Sequence, residues 1–528
     1  MAAYSTLSEG MTPTDYVAAL MKEGMSTAQA RYFAGLTSAS PGYTVLSQTS
    51  DSNGFSATLF LDNATGQKIL AVRGTNDFKD LAITNLGIAL FGLANQYSNL
   101  EAYYQQLIAE GKLGANEIIT LTGHSLGGLL VENFAVDYAG VVGHAYTYNA
   151  PGFAGALVQL LEIFGVTAAN VPLAHITNLQ AQAGPELITG HGTVLGNVLP
   201  VFTEDQGFGI PGNHGIAPLT DSLAIYDLFA TLDPSISADP ERGIQKIADI
   251  LKASASTENK TLETALDGLR TLFQVNYANH SAADNANTTL VLGILEDRER
   301  FYTNAIGLKN YLTGSPLYDP DSKSLNLSVT SLVGPDSGQL LNRAQSDIAV
   351  RYALHKLNPF AVTGNPSLYD TINTDRSLNR YDPATGSGNL TDQYLKDRSS
   401  FLTNKIRAGI DNTDTRTGDA RATYLGAPQY FEDKTADYTY KLYLGKDRYA
   451  SDKSTDEMTK LVFGSSGIDS IIGGRERDHL YGLAGHDTLT GGKGNDYLEG
   501  GQGTDTYSYT AGDGLDTILD TDGLGKIQ

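Results

Sequence analysis

Glu117-Ile-Ile-Thr-Leu-Thr-Gly-His-Ser-Leu-Gly-Gly128 decides the fold. Glu117 to Thr122 is a short β-rich run, Gly123 follows at once, and a helical run opens at Leu126. The Gly-x-Ser-x-Gly pattern from Gly123 to Gly127 marks a sharp strand-to-helix turn. Small residues let strand and helix approach, the turn presents the Ser125 hydroxyl, and backbone N–H groups at the helix start can stabilise an oxyanion. In a chain with 57 glycines the bare pattern means little; the strand before it and the helix after it give it weight.

Working outward, Lys68-Ile-Leu-Ala-Val-Arg73 reads as a buried strand. Leu100 to Ala109 has helical spacing, with Leu100, Tyr103, Tyr104, Leu107 and Ile108 on one face. Val142 to Tyr148 and Leu173 to Asn178 are the next strand candidates. Strands alternating with helices over residues 1–235 predict an α/β domain with a mostly parallel sheet. A helical and irregular middle region is expected over 236–460. In it, Ile244 to Leu251, Leu262 to Leu269 and Ala344 to Lys356 show helical spacing, and Pro359 ends the last. The stretch from about 315 to 460 is otherwise polar and carries no catalytic motif.

A third segment, 461–528, is built on a repeat. Gly464, Gly473, Gly482, Gly491 and Gly500 recur every nine residues. Asp469, Asp478, Asp487, Asp496 and Asp505 follow at a constant offset, then Ile471, Leu480, Leu489, Leu498 and Tyr507. Gly467, Gly485, Gly494 and Gly503 hold the third glycine position, where Glu476 departs from the pattern; Ser465 and Leu483 depart at the second. This is the nonapeptide pattern of a parallel β-roll, in which each repeat makes a half-turn and the apolar residue fills the interior. The Gly carbonyls and Asp carboxylates are hard oxygen ligands for calcium at about 2.3–2.6 Å. Same-side partners lie two repeats apart, so about three structural Ca2+ ions are expected, with these Gly and Asp residues as their loops.

Composition bounds the function. The chain has 528 residues and a formal net charge of −23, which opposes binding to nucleic acid and suits a protein holding divalent cations. With no Cys, disulfides, Cys-based zinc sites and a thiol nucleophile are excluded. No apolar run is long enough to span a membrane, and the start, Met1-Ala-Ala-Tyr-Ser-Thr-Leu7, lacks a Sec-type signal.

The repeats resemble the RTX family of calcium-binding bacterial proteins, a likeness specific to residues 464–508. It implies export by a type I machinery through a C-terminal signal, and a secreted, extracellular protein. No clear signal follows Ile518, as expected of a truncated or processed form. Thr122-Gly-His-Ser-Leu-Gly-Gly128, together with Ala71-Val-Arg-Gly-Thr75, resembles the class 3 lipases, over about residues 65–235. That likeness implies an α/β-hydrolase domain acting on lipid esters, triacylglycerol or phospholipid, at a lipid–water interface. It also implies that Thr75 and the Leu126 N–H bind the oxyanion. The alternative is an RTX adhesin or toxin module whose hydrolase-like domain is a scaffold.

A serine nucleophile needs a base, and the base an orienting acid, in the chain order Ser, acid, His. His124 adjoins the nucleophile but points elsewhere, and His144 and His175 fall in strand candidates. His214, in Gly212-Asn-His-Gly215 before a helical run, is the expected base, with His191 the runner-up. The acid is less defined. Gly184 stands where class 3 lipases and RTX lipases carry Asp, and Glu186 lies two residues on. Glu204 and Asp205 are nearer His214, and similar RTX lipase-like chains carry a comparable Glu-Asp-Gln before the His, which favours that pair.

Overall fold

The computed structural model describes residues 1–37, 40–52, 54–73, 86–151, 173–182, 194–204, 215–254, 261–275, 295–413, 427–435, 439–445 and 454–528. Two compact units result: 1–248 with 290–325, and 249–289 with 326–528.

The first unit is built on a seven-stranded sheet whose order follows the chain: β1 (Tyr43–Ser50), β2 (Ser56–Asp62), β3 (Lys68–Arg73), β4 (Ile119–His124), β5 (Val142–Tyr148), β6 (Ile176–Ala181) and β7 (Asn197–Val201). β1 to β3 pair antiparallel, and β3 to β7 pair parallel. The expected α/β architecture is therefore present. Its helices are α1 (Pro13–Lys22), α2 (Thr27–Phe33), α3 (Leu86–Ala109), α4 (Leu126–Asp137) and α5 (Ile216–Leu232), followed by Leu295–Thr313.

Alternation along β3 explains why both sheet faces are covered. Leu70 and Val72 join Leu100, Tyr104 and Leu107 of α3 and Leu130, Val131 and Phe134 of α4 in one core. Ala71, with Val45 and Phe60, packs on the other face against Tyr16, Leu20 and Ala30. A strand with apolar residues on both faces is what a sheet interior requires. The expected strand from Leu173 begins later: Leu173–His175 is a 3-10 turn and the strand opens at Ile176.

In the second unit, β8 (Ser328–Ser331) and β9 (Phe360–Thr363) form an antiparallel pair. The single helix expected from Ala344 to Lys356 is corrected to two, Ser337–Ala344 and Ile348–Lys356. Asp347 causes the break: its carboxylate accepts the Ala349 amide at 2.8 Å, capping the second helix.

The stretch read as irregular holds the helix Asp392–Thr413 and three strands, β10 (Gln429–Asp433), β11 (Tyr440–Leu444) and β12 (Thr459–Phe463). These strands extend the repeat region on its N-terminal side. One sheet runs β11-β10-β12-β14-β16-β18 and a second runs β13-β15-β17-β19, where β13 is Ser470–Ile472, β14 His479–Ala484, β15 Thr488–Thr490, β16 Tyr497–Gln502, β17 Thr506–Ser508, β18 Thr517–Leu519 and β19 Lys526–Ile527. Register advances by 18 residues per full turn: Leu480 lies against Leu498, and Leu489 against Tyr507. Ile471, Leu480, Leu489, Leu498 and Tyr507 form the interior spine. The β-roll thus has the two-half-turn construction that the nine-residue period predicts.

Candidate active site and calcium-binding roll

Ser125 sits between β4 and α4 with φ 57 and ψ −130, a conformation non-glycine residues avoid. Its amide is fixed by the Tyr148 carbonyl at 2.9 Å, and its carbonyl by the Gly128 amide at 2.9 Å. Glycine at 123 is required by packing, since a Cβ there would collide with the Gly127 backbone. One at Gly128 would lie 2.7 Å from the Ala150 Cβ. The motif therefore folds as the strained elbow it spells. Leu126 opens α4, where first-turn amides have no intrahelical acceptor and can face an anion.

His124 Nδ1 shares a hydrogen bond of 2.7 Å with the Tyr4 hydroxyl. Arg73 pairs in register with His124 across β3 and β4, and its guanidinium lies 5.8 Å from the Tyr4 ring centroid. Residue 73 thus leaves its strand beside the elbow. His144 Nε2 is 2.8 Å from Thr177 Oγ1, and burial lowers its pKa. Glu204 follows β7 by three residues and is buried, at 7% exposure, at the same C-terminal strand edge as Ser125. Parallel α/β sheets place ligand and catalytic groups at that edge. Thr75, Gly184, Glu186, His191, Asp205 and His214 lie outside the described residues.

A feature not anticipated from sequence is Glu132, two helical turns after the serine. It is fully buried, and burial pushes its carboxyl well above the usual carboxylate range, opposed by the Leu195 backbone. Only its place after the apolar run Leu129-Leu130-Val131 hints at it. An acid whose folded pKa is raised contributes stability that is intact below its unfolded value, near 4.5, and lost as pH rises toward the folded value. Glu132→Gln is therefore expected to melt with wild type near pH 4 and several degrees above it at pH 8. An equal offset at both pH values would show that Glu132 is not held neutral.

In the roll, Asp487, Asp496 and Asp505 are buried, and each has one oxygen, Oδ2, without a hydrogen-bond partner. Desolvation leads the causes that raise the Asp487 and Asp496 carboxyls to about 6, and that raise Asp505 as well. Gly485 and Gly494 have φ near the edge of the left-handed region, at +139 and +133. A Cβ on either would run into the carbonyl oxygen of Gly467 or Glu476 one turn earlier. Loops that turn carbonyls and unsatisfied carboxylates toward one another fit a hard cation. Among the described residues no three His, Cys, Asp or Glu side chains converge as a metal site. Leu483 occupies the second-glycine position with φ 79, a strained local departure.

Two family models match this chain. A Tle-like phospholipase domain covers residues 18–183, and the RTX calcium-binding nonapeptide repeat covers 463–498, 472–507 and 482–517. No curated protein matches at a significant level. Among solved structures, the Lip2 lipase of Yarrowia lipolytica is 19% identical with TM-score 0.22, covering 34% of this chain and 69% of its own. The Rhizomucor miehei lipase propeptide complex is 15% identical with TM-score 0.20, covering 26% and 49%. Extracellular lipase LipA of Serratia marcescens is 13% identical with TM-score 0.21, covering 92% of this chain and 55% of its own. The match thus spans about half the length of the Rhizomucor and Serratia proteins, and no residue role passes from such distant likenesses. Among the described residues no helix is long and apolar enough to cross a membrane. The resemblance to RTX lipases and phospholipases is borne out at the level of its parts: the chain carries a Tle-like phospholipase domain and calcium-binding RTX repeats.

Proposed function

We propose that the protein is a secreted serine carboxylester hydrolase of lipids, with phospholipid acyl esters the first substrates to test and triacylglycerol the second. The strained backbone of Ser125 at the β4–α4 turn carries this reading. The phospholipase-like model over 18–183, which includes the elbow, supports it. The catalytic portion is assigned to residues 1–235, ahead of the 236–460 region and the 461–528 roll.

In the proposed mechanism the Ser125 Oγ attacks the acyl carbonyl carbon while His214 takes its proton. Glu204 or Asp205 holds the imidazole; burial of Glu204 is compatible with that role. The Leu126 N–H and Thr75 bind the oxyanion of the tetrahedral intermediate. Collapse expels the alcohol, which receives the proton from His214, and leaves an acyl ester on Ser125. Water, deprotonated by His214, then releases the fatty acid and restores the serine. Calcium in the roll is structural and takes no part in acyl transfer. Type I export and an extracellular location follow from the RTX repeats as part of the same proposal.

The test is covalent labelling of the folded, calcium-loaded chain by a lipid-like phosphonate ester. Modification confined to Ser125 is expected. Absence of labelling would favour the scaffold reading, in which the hydrolase-like domain is non-catalytic.

A further inference from the structure

The nine-residue period makes the five aspartates equivalent, but the structure divides them into two classes. Asp487, Asp496 and Asp505 each accept, through Oδ1, the amide of the aspartate 18 residues earlier, at 2.7, 2.8 and 2.9 Å. Their Oδ2 atoms have no partner. Asp469 and Asp478, the first on each side of the roll, are different. Asp469 Oδ2 accepts the Ser465 amide at 2.6 Å and its hydroxyl at 2.8 Å, while Oδ1 faces Lys434 Nζ at 3.3 Å. Asp478 Oδ2 accepts the Gly474 amide at 2.5 Å, and Oδ1 the Lys460 amide at 2.7 Å.

Both lysines come from the coil before the first repeat on their side. Lys434 follows β10, and its amide is bonded to the Phe463 carbonyl at 2.9 Å. Lys460 lies in β12, buried at 9% exposure, and its Nζ donates to the carbonyls of Ile472 at 3.2 Å and Gly473 at 2.8 Å. Gly473 is the first glycine of its repeat, a carbonyl of the kind the roll offers to calcium. An ammonium held on such carbonyls supplies positive charge and three donors where the ladder of loops begins.

We propose that Lys434 and Lys460 are resident cations that close the N-terminal ends of the two calcium ladders. Calcium occupancy then begins at Asp487 on one side and Asp496 on the other, with Asp505 the third site. A tethered ammonium cannot be chelated and pays no association cost, so the first coil stays ordered without calcium. Solenoids propagate order from a formed end through nearest-neighbour contacts, so this coil is the template on which the calcium-dependent turns stack.

The test uses the full chain. Calcium bound after desalting is counted by elemental analysis, and amide exchange is followed in excess chelator. Three ions per chain are expected; five would overturn the proposal. In chelator, the amides of Thr459–Phe463 should exchange at least about tenfold more slowly than those of Tyr497–Gln502. Lys460→Met should abolish that difference and Lys460→Arg should retain it. Equal exchange of the two strands in wild type, or persistence of protection in Lys460→Met, would overturn it. Should Lys460→Met fail to fold even with calcium, the wild-type exchange still decides.

Discussion

Replacing Ser125 with alanine is expected to abolish ester hydrolysis, by about four to six orders of magnitude in kcat, while leaving the melting temperature nearly unchanged. The two halves of this expectation have separate causes. Under the proposed mechanism, loss of the hydroxyl removes the atom that would form the acyl-enzyme, and the oxyanion donors alone would retain only a small residual acceleration. Stability is kept because alanine has the same Cβ, and so the same strain at φ 57. Ser125→Gly separates the two effects. It should be equally inactive yet more stable, by about 1 kcal/mol, because glycine adopts positive φ without penalty. A short-chain p-nitrophenyl ester assay and a phospholipid release assay, run beside thermal melts, check both variants. Wild-type rates in Ser125→Ala would exclude Ser125 chemistry altogether.

The elbow was legible because everything that makes it is local. The strand, the turn glycines and the helix follow one another without interruption from Ile119 to Asp137, and α4 begins at Leu126 as the pattern requires. The roll was legible for a related reason, since its period is written three times over in glycine, aspartate and an apolar residue. Its partition into satisfied and unsatisfied aspartates was not, because Lys434 stands 35 residues before Asp469 and belongs to no repeat.

The helix Asp392–Thr413 escaped hydrophobic periodicity for a comparable reason. Asp397, Arg398 and Lys405 are buried on it. Arg398 is satisfied by Asp433 at 2.9 Å and Asp397 by His479 at 2.5 Å. Charges buried in pairs look like solvated faces in a sequence. The break at Asp347 interrupts a run whose spacing reads as continuous, because one short carboxylate outcompetes periodicity for the chain's amides. Partnership of the serine is the least local property of all. The proposed acid and base stand roughly 80 to 90 residues further along the chain, and no spacing rule ties them to Ser125.

Removing calcium is expected to have the largest effect on stability. Each ion that binds only the folded roll contributes roughly 2.7 kcal/mol at a hundredfold excess over its Kd. Three such ions contribute on the order of 8 kcal/mol, comparable with the whole stability of a small domain. The buried side contacts are too few to replace this. The spine offers one apolar side chain per repeat, Ile471 to Tyr507, and the loops hold carboxylates that burial disfavours as anions. Excess chelator should therefore unfold the turns beyond the first coil, seen as loss of β-type circular dichroism and a fall in the melting temperature. Asp496→Asn keeps the shape of its side chain but removes the negative charge it offers its ion. It should raise the calcium concentration at mid-transition about tenfold or more, whereas Asp469→Asn, facing Lys434 and Ser465, should shift it far less. A melting curve indifferent to chelator would count against ordered calcium in the roll. Equal shifts for the two asparagine variants would instead show that the five aspartates share the ions, as their spacing alone suggests.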